Sequence, residues 1–143
     1  MNSTRTRRYK ILLGQVCVLL LPFLDSPVAE AAERIAGGKW ESAMTTDGQT
    51  RTVSYCISAA EAASINGDSK TGRAFAEKKS AGSCAISSYE IKGDTVSYSL
   101  TCGARTITDT TAFHGDTSEG VKTVTNEGKT TTTRLKSHRI GTC

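Results

Sequence analysis

One stretch, Ser83–Cys102 (SCAISSYEIKGDTVSYSLTC), constrains the fold more than any other. Val96, Tyr98, Leu100 and Cys102 alternate with Thr95, Ser97, Ser99 and Thr101. That period of two marks a strand with one buried face. Gly93-Asp94 is a two-residue hairpin turn in which glycine supplies the positive φ of the first position. Counting outward, Lys92 faces Thr95, Ile91 faces Val96 and Tyr89 faces Tyr98. The first arm then changes parity, since Tyr89 and Ile91 are apolar at odd positions but Cys84 and Ile86 at even ones. One extra residue, a β-bulge at Ser87-Ser88, restores the pattern and sets Cys84 directly opposite Cys102. Directly opposed positions come closest to the spacing that a disulfide needs, so Cys84–Cys102 is the preferred bridge over two separate buried thiols.

Residues 1–31 read as a secretory signal peptide. Arg5, Arg7, Arg8 and Lys10 form a basic start, Ile11–Leu24 an apolar run too short to span a bilayer comfortably, and Ala29-Glu30-Ala31 a small-x-small cleavage site. Lys10 argues against a twin-arginine signal, and Val16 before Cys17 against a lipoprotein cysteine. Residues 32–143 then form a single domain, periplasmic or secreted. The formal net charge of +4 falls to +2 once four basic and two acidic side chains leave with the leader. That is too little to argue for nucleic acid or an anionic membrane. Of five cysteines, Cys56, Cys84, Cys102 and Cys143 remain. An even number in a small exported domain reads as disulfides. With Cys84–Cys102 taken, Cys56–Cys143 follows, and its long loop stabilises by roughly 4–5 kcal/mol in the chain-entropy model.

Gly38–Thr46 and Gln49–Ile57 are expected to form a first hairpin turning at Asp47-Gly48. Its register pairs Trp40 with Tyr55 and Ser42 with Val53, which puts Trp40 in the core. Ser58 and Glu61 have capping-box spacing before an alanine-rich helix that Gly67 can end. Asp68–Gly82 is polar with Phe75 its one large apolar residue, either a second short helix around Arg73–Lys79 or a solvated connection. Beyond the central hairpin come strands at Arg105–His114, Gly120–Thr125 and Lys129–Arg139, with turns at His114–Thr117 and Asn126–Gly128. The last two are threonine-rich and poor in apolar surface, with Val121, Val124, Leu135 and Ile140 as expected anchors, so the sheet is expected to be weakest there. Lys122, Lys129 and Lys136 would then protect an edge. The fold class is mainly β: an antiparallel meander of about seven strands, a twisted sheet or half-open barrel, with one short helical insertion and two disulfides.

Reactive constellations are scarce. No Cys-x-x-Cys occurs, and His114 and His138 have no ligand-spaced neighbour, so no metal site is expected. Gly67–Gly72 (GDSKTG) lacks the Gly-Lys-Ser/Thr ending of a phosphate loop. No serine sits in a nucleophile-elbow motif. Glu90, Asp94, Asp109, Asp116 and Glu119 are scattered carboxylates, read as turn residues and solvated faces. Arg105, Asp109, His114 and Asp116 are the most site-like group, but strand parity splits them between faces. No catalytic residue and no cofactor are assigned.

The order of short motifs resembles a family of small exported bacterial proteins, DUF3617, a domain of unknown function. Gly38-Lys39-Trp40-Glu41 is similar to its G-x-W-E opening. Cys56-Ile57-Ser58-Ala59-Ala60-Glu61-Ala62 is similar to its C-[LV]-[ST]-P-E-D-A segment, with Ala59-Ala60 displacing the usual proline. Cys84, Gly93-Asp94 and Cys102 resemble its central cysteine hairpin, Phe113–Asp116 its x-G-D turn, and Arg139–Cys143 its R-[LI]-G-x-C ending. The resemblance covers nearly all of Gly38–Cys143 and implies a periplasmic or secreted β-rich domain without an established activity. The expectation is a non-enzymatic envelope domain binding a protein or an apolar ligand on one face of its sheet. The alternative is a secreted inhibitor of an envelope hydrolase such as a lysozyme, and an unrecognised hydrolase is a third reading.

Overall fold

The computed structural model describes residues 33–80 and 84–143. The leader assignment to residues 1–31 therefore lies outside the described residues. Seven antiparallel strands form one sheet: β1 (Gly38–Thr46), β2 (Gln49–Ile57), β3 (Ala85–Lys92), β4 (Thr95–Cys102), β5 (Arg105–His114), β6 (Thr117–Asn126) and β7 (Lys129–Gly141). Two helices, α1 (Ala59–Asn66) and α2 (Ser69–Ser80), connect β2 to β3. Strand order is β2-β1-β7-β6-β5-β4-β3. Each hairpin is local, but β7 returns to lie beside β1, so the N-terminal hairpin extends the meander from its C-terminal end.

The expected registers hold. Trp40 pairs with Tyr55 and Ser42 with Val53. Tyr89 pairs with Tyr98, and the register shifts between Ile86 and Ser88, where the bulge was expected. Asp47 and Gly48 both take positive φ (50° and 77°), the two-position signature that makes Asp-Gly a tight hairpin turn. Cys84–Cys102 and Cys56–Cys143 are both bonded, with Cα–Cα distances of 4.3 and 5.8 Å.

Three expectations about the C-terminal strands are corrected. β6 and β7 are interior, and the edges are β2 and β3, so Lys122, Lys129 and Lys136 guard no edge. For the same reason this end is not the weak margin of the sheet: β7 is paired on both sides. Val121 and Ile140 are 38% and 45% exposed. They alternate with Gly120, Lys122, Arg139 and Gly141, and it is Ser118 and Ser137 of that opposite parity that are buried.

The helical insertion is longer than expected. Ser58 caps α1 with both halves of the capping box formed. Gly67 ends it in an extended conformation (φ −66°), so no left-handed cap is used. Asp68 accepts a hydrogen bond from Thr71 N (2.8 Å), which starts α2 immediately and removes the solvated connection. Gly67–Gly72 is thus a helix junction.

Residues 34–36 close one end of the molecule. Ile35 bridges to Gly115, and Asn66 clamps Ile35 by donating to its carbonyl (2.9 Å) and accepting from its N–H (3.0 Å). Beneath this strap Ile35, Trp40, Ile57 and Ala62 form a small core with Ile65 and Phe113 against it. Trp40 is fully buried, and its indole N–H donates to the Ala36 carbonyl at 3.0 Å.

Candidate functional site

The sheet face that meets the helices is not filled by that core. Between sheet and helices lies a cavity of about 500 Å³, within the range of small-molecule sites. Tyr55 of β2 and Tyr89 of β3 both line it. These are the two edge strands, which in a flat seven-stranded sheet would stand about 29 Å apart at ordinary strand spacing. One cavity reaches both, so the sheet is strongly curved around it.

Cross-strand rows give the lining its order. One row runs Ser42, Ser137, Ser118, Phe113 across β1, β7, β6 and β5. The next runs Leu135, Gly120, Thr111, Val96. A third runs Lys122, Asp109, Tyr98, Tyr89. Phe75 and Ala76 of α2 and Ile65 of α1 supply the helical wall. Gly72 lets α2 approach closely, because a Cβ there would lie 2.2 Å from the Tyr89 hydroxyl. The walls are largely apolar and aromatic; Lys79, paired with Glu61, and Ser80 reach the space from α2, and the buried polar groups are on the sheet side.

Two polar groupings are built there. Ser42 and Ser137, both buried, hydrogen-bond through their hydroxyls, and Ser42 also meets the Tyr55 hydroxyl at 3.3 Å. Asp109 is 7% exposed and accepts from Thr111 Oγ1 at 2.8 Å. Tyr98 stands opposite it in register, and its phenol interacts with the carboxyl. Burial raises the Asp109 carboxyl above its ordinary value, against the opposing pull of Thr111, Lys122 and Tyr98. Burial also pushes the Tyr98 hydroxyl well above the usual phenol range, with the Asp109 charge adding to it. Tyr89, stacked on Tyr98 with ring centroids 6.4 Å apart, is raised by burial as well.

The scattered carboxylates do not converge. Glu90 pairs with Lys92 (3.0 Å) and Glu119 with Lys136 (3.3 Å), both on exposed surface. Asp116 lies 3.9 Å from Arg139. Of the group Arg105, Asp109, His114 and Asp116, only Asp109 enters the cavity, and His114 and Arg105 are exposed. The solvated reading of Asp109 is corrected: it shares parity with Ile107 and Phe113 and goes inward with them. That parity was the available signal. Ser42, Ser118 and Ser137 carry none beyond theirs, because a buried serine looks like any strand serine until its neighbour is known. Among the described residues no group of three or more His, Cys, Asp or Glu is placed to hold a metal ion. No helix among them is long and apolar enough to cross a membrane.

A curved antiparallel sheet, clamped by two disulfides and holding a cavity beneath a helical pair, defines this class of domain. The chain belongs to the family of proteins of unknown function DUF3617, whose model matches residues 35–143. No curated protein and no solved structure matches it significantly.

Proposed function

We propose that this domain is an exported, non-catalytic binding module of the cell envelope that takes a small, largely apolar molecule between its sheet and its helices. The observation that carries the reading is the cavity itself. A domain of this size ordinarily fills the space between its layers with side chains. Here Tyr89, Tyr98, Leu100 and Leu135 line about 500 Å³ of open space instead. Leaving that much apolar surface unburied weakens the fold, and the two disulfides offset the loss. Binding rather than catalysis is favoured because Asp109 is separated from His114 and Asp116, and its titratable neighbours are Lys122 and the Tyr98 phenol, which burial holds in its protonated form.

Native mass spectrometry of the protein purified from periplasm without detergent tests this. The expected spectrum shows a chain starting near Ala32 with two disulfides and a bound small molecule that organic extraction removes. A chain that retains its leader, or that stays bare and takes up no apolar compound on soaking, would overturn it.

A further inference from the structure

We infer, resting on the binding reading above, that the cavity selects an uncharged amphiphile, an aliphatic or aromatic body carrying one hydroxyl or amide, and that Asp109 accepts the hydrogen bond from that head group. The inference starts from the coordination of one carboxyl. Asp109 lies midway along β5, more than nine-tenths buried, and lines the cavity. A carboxylate offers about four acceptor positions. Thr111 occupies one of them, and the Tyr98 phenol, opposite in register, acts on the carboxyl. A buried carboxyl with unused acceptor capacity is costly, and a donor on the ligand would complete its shell.

The sign of the head group follows from the neighbours. Lys122 is directly opposite Asp109 on β6, and its ammonium acts on the carboxyl. A charged head of either sign would be attracted by one member of this pair and repelled by the other, and so would give up its hydration for little net gain. A neutral donor meets neither repulsion. The other polar grouping does not compete for it, because the Ser42 hydroxyl is already engaged by Ser137 and Tyr55. The body of the ligand would rest on Phe75, Leu100, Phe113 and Leu135, which line the same space.

The test uses the purified disulfide-bonded protein and N-phenyl-1-naphthylamine, an uncharged fluorophore that brightens in apolar surroundings. The fluorophore reports the cavity, and three ten-carbon competitors, 1-decanol, decanoate and decylamine, report the head group. At pH 7, 1-decanol is expected to displace the fluorophore at about tenfold lower concentration than either charged competitor, the size of one hydrogen bond to a buried polar group. Asp109→Ala, whose own affinity for the fluorophore is measured first because the fluorophore carries an N–H of its own, should reduce that preference to about twofold or less. Equal displacement by all three, or a preference that survives Asp109→Ala, would overturn the inference while leaving the cavity reading intact. No fluorophore binding at all would overturn both. A measurement on the unmodified protein guards against a misfolded variant: the Asp109 carboxyl 13C resonance should shift on adding 1-decanol, and a static resonance during displacement would also overturn the inference.

Discussion

Gly38 and Arg139, at opposite ends of the domain's sequence, are in contact: a Cβ built on Gly38 would lie 2.4 Å from Arg139 Nε and 2.5 Å from the Gly141 carbonyl oxygen. Gly38 also holds φ at +143°, a conformation that side-chain-bearing residues rarely adopt. Arg139 in turn donates from Nε to the Gly37 carbonyl at 2.8 Å. The opening Gly-x-Trp-Glu and the closing Arg-Ile-Gly-x-Cys are therefore one structural unit, the seam between β1 and β7. Gly38→Ala is expected to cost at least about 2 kcal/mol, combining backbone strain with overpacking. Gly48 isolates the first contribution, since it also has positive φ but open space around its Cα. Gly48→Ala should cost only about 1 kcal/mol. Urea unfolding of the two variants compares them, and equal losses would remove the seam from the explanation.

The two disulfides differ in what they constrain. Cys84–Cys102 spans 18 residues within a hairpin that already brings its ends together. Cys56–Cys143 spans 87 and joins the end of β2 to the last residue of the chain. In the chain-entropy model, removing the first costs about 3 kcal/mol and removing the second roughly 4–5 kcal/mol. Paired Cys→Ser variants, unfolded in denaturant, should show the larger loss for Cys56/Cys143. The reverse order would mean that the denatured chain keeps β1, β2 and β7 together without the bond.

Both hairpins were legible because their information is local. Asp47-Gly48 and Gly93-Asp94 fix the turns, parity fixes the faces, and the parity break before Tyr89 fixes the bulge. The second disulfide followed by elimination once the first was placed. The β1–β7 pairing is a contact between strands about a hundred residues apart, and no turn residue announces it. Missing it made β6 and β7 look like a margin and Val121 and Ile140 look like anchors. Asp109 was the instructive residue at the candidate site. Its alternation with Ile107 and Phe113 pointed inward, but residue type argued for solvent, and register won because one face of the strand is covered. α2 was under-read because Gly72 interrupts its helix formers, and only Tyr89 against it explains the glycine.

Arg34 ties three separated pieces of backbone. Its guanidinium donates to the carbonyls of Ile65 (2.8 Å), Gly67 (3.1 Å) and Gly93 (3.2 Å), joining the end of α1 to the β3–β4 turn. Charged donors to backbone carbonyls contribute more than neutral ones. Arg34→Ala is expected to destabilise by about 2 kcal/mol and to speed amide exchange in α1 selectively. Arg34→Lys should restore little, because one ammonium cannot reproduce the planar fork. Full rescue by lysine would show that charge alone is used.

Two carboxyls give the stability opposite dependences on pH. Glu61 is held down to about 2, chiefly by Lys79 and then by the Ser58 N–H and hydroxyl of the capping box. A depressed value means that its contribution is present above the unfolded value near 4.5 and is lost as the pH falls toward 2. Glu61→Gln should therefore be less stable than the parent at neutral pH, with the gap closing on acidification. Asp109 is raised above 3.8, mainly by burial. The folded state thus holds its proton more tightly than the unfolded chain does. The associated stability is complete below 3.8 and is lost as the pH rises through the folded value. Asp109→Asn, which cannot ionise, should gain on the parent as the pH climbs. Thermal unfolding of parent and both variants between pH 2.5 and 8 is expected to show both differences widening as the pH rises, with opposite signs: Glu61→Gln falls below the parent and Asp109→Asn gains on it. A flat Asp109→Asn difference across that range would mean that Lys122 and Thr111 fully compensate the buried charge, and that the floor of the cavity is as comfortable for a carboxylate as water is.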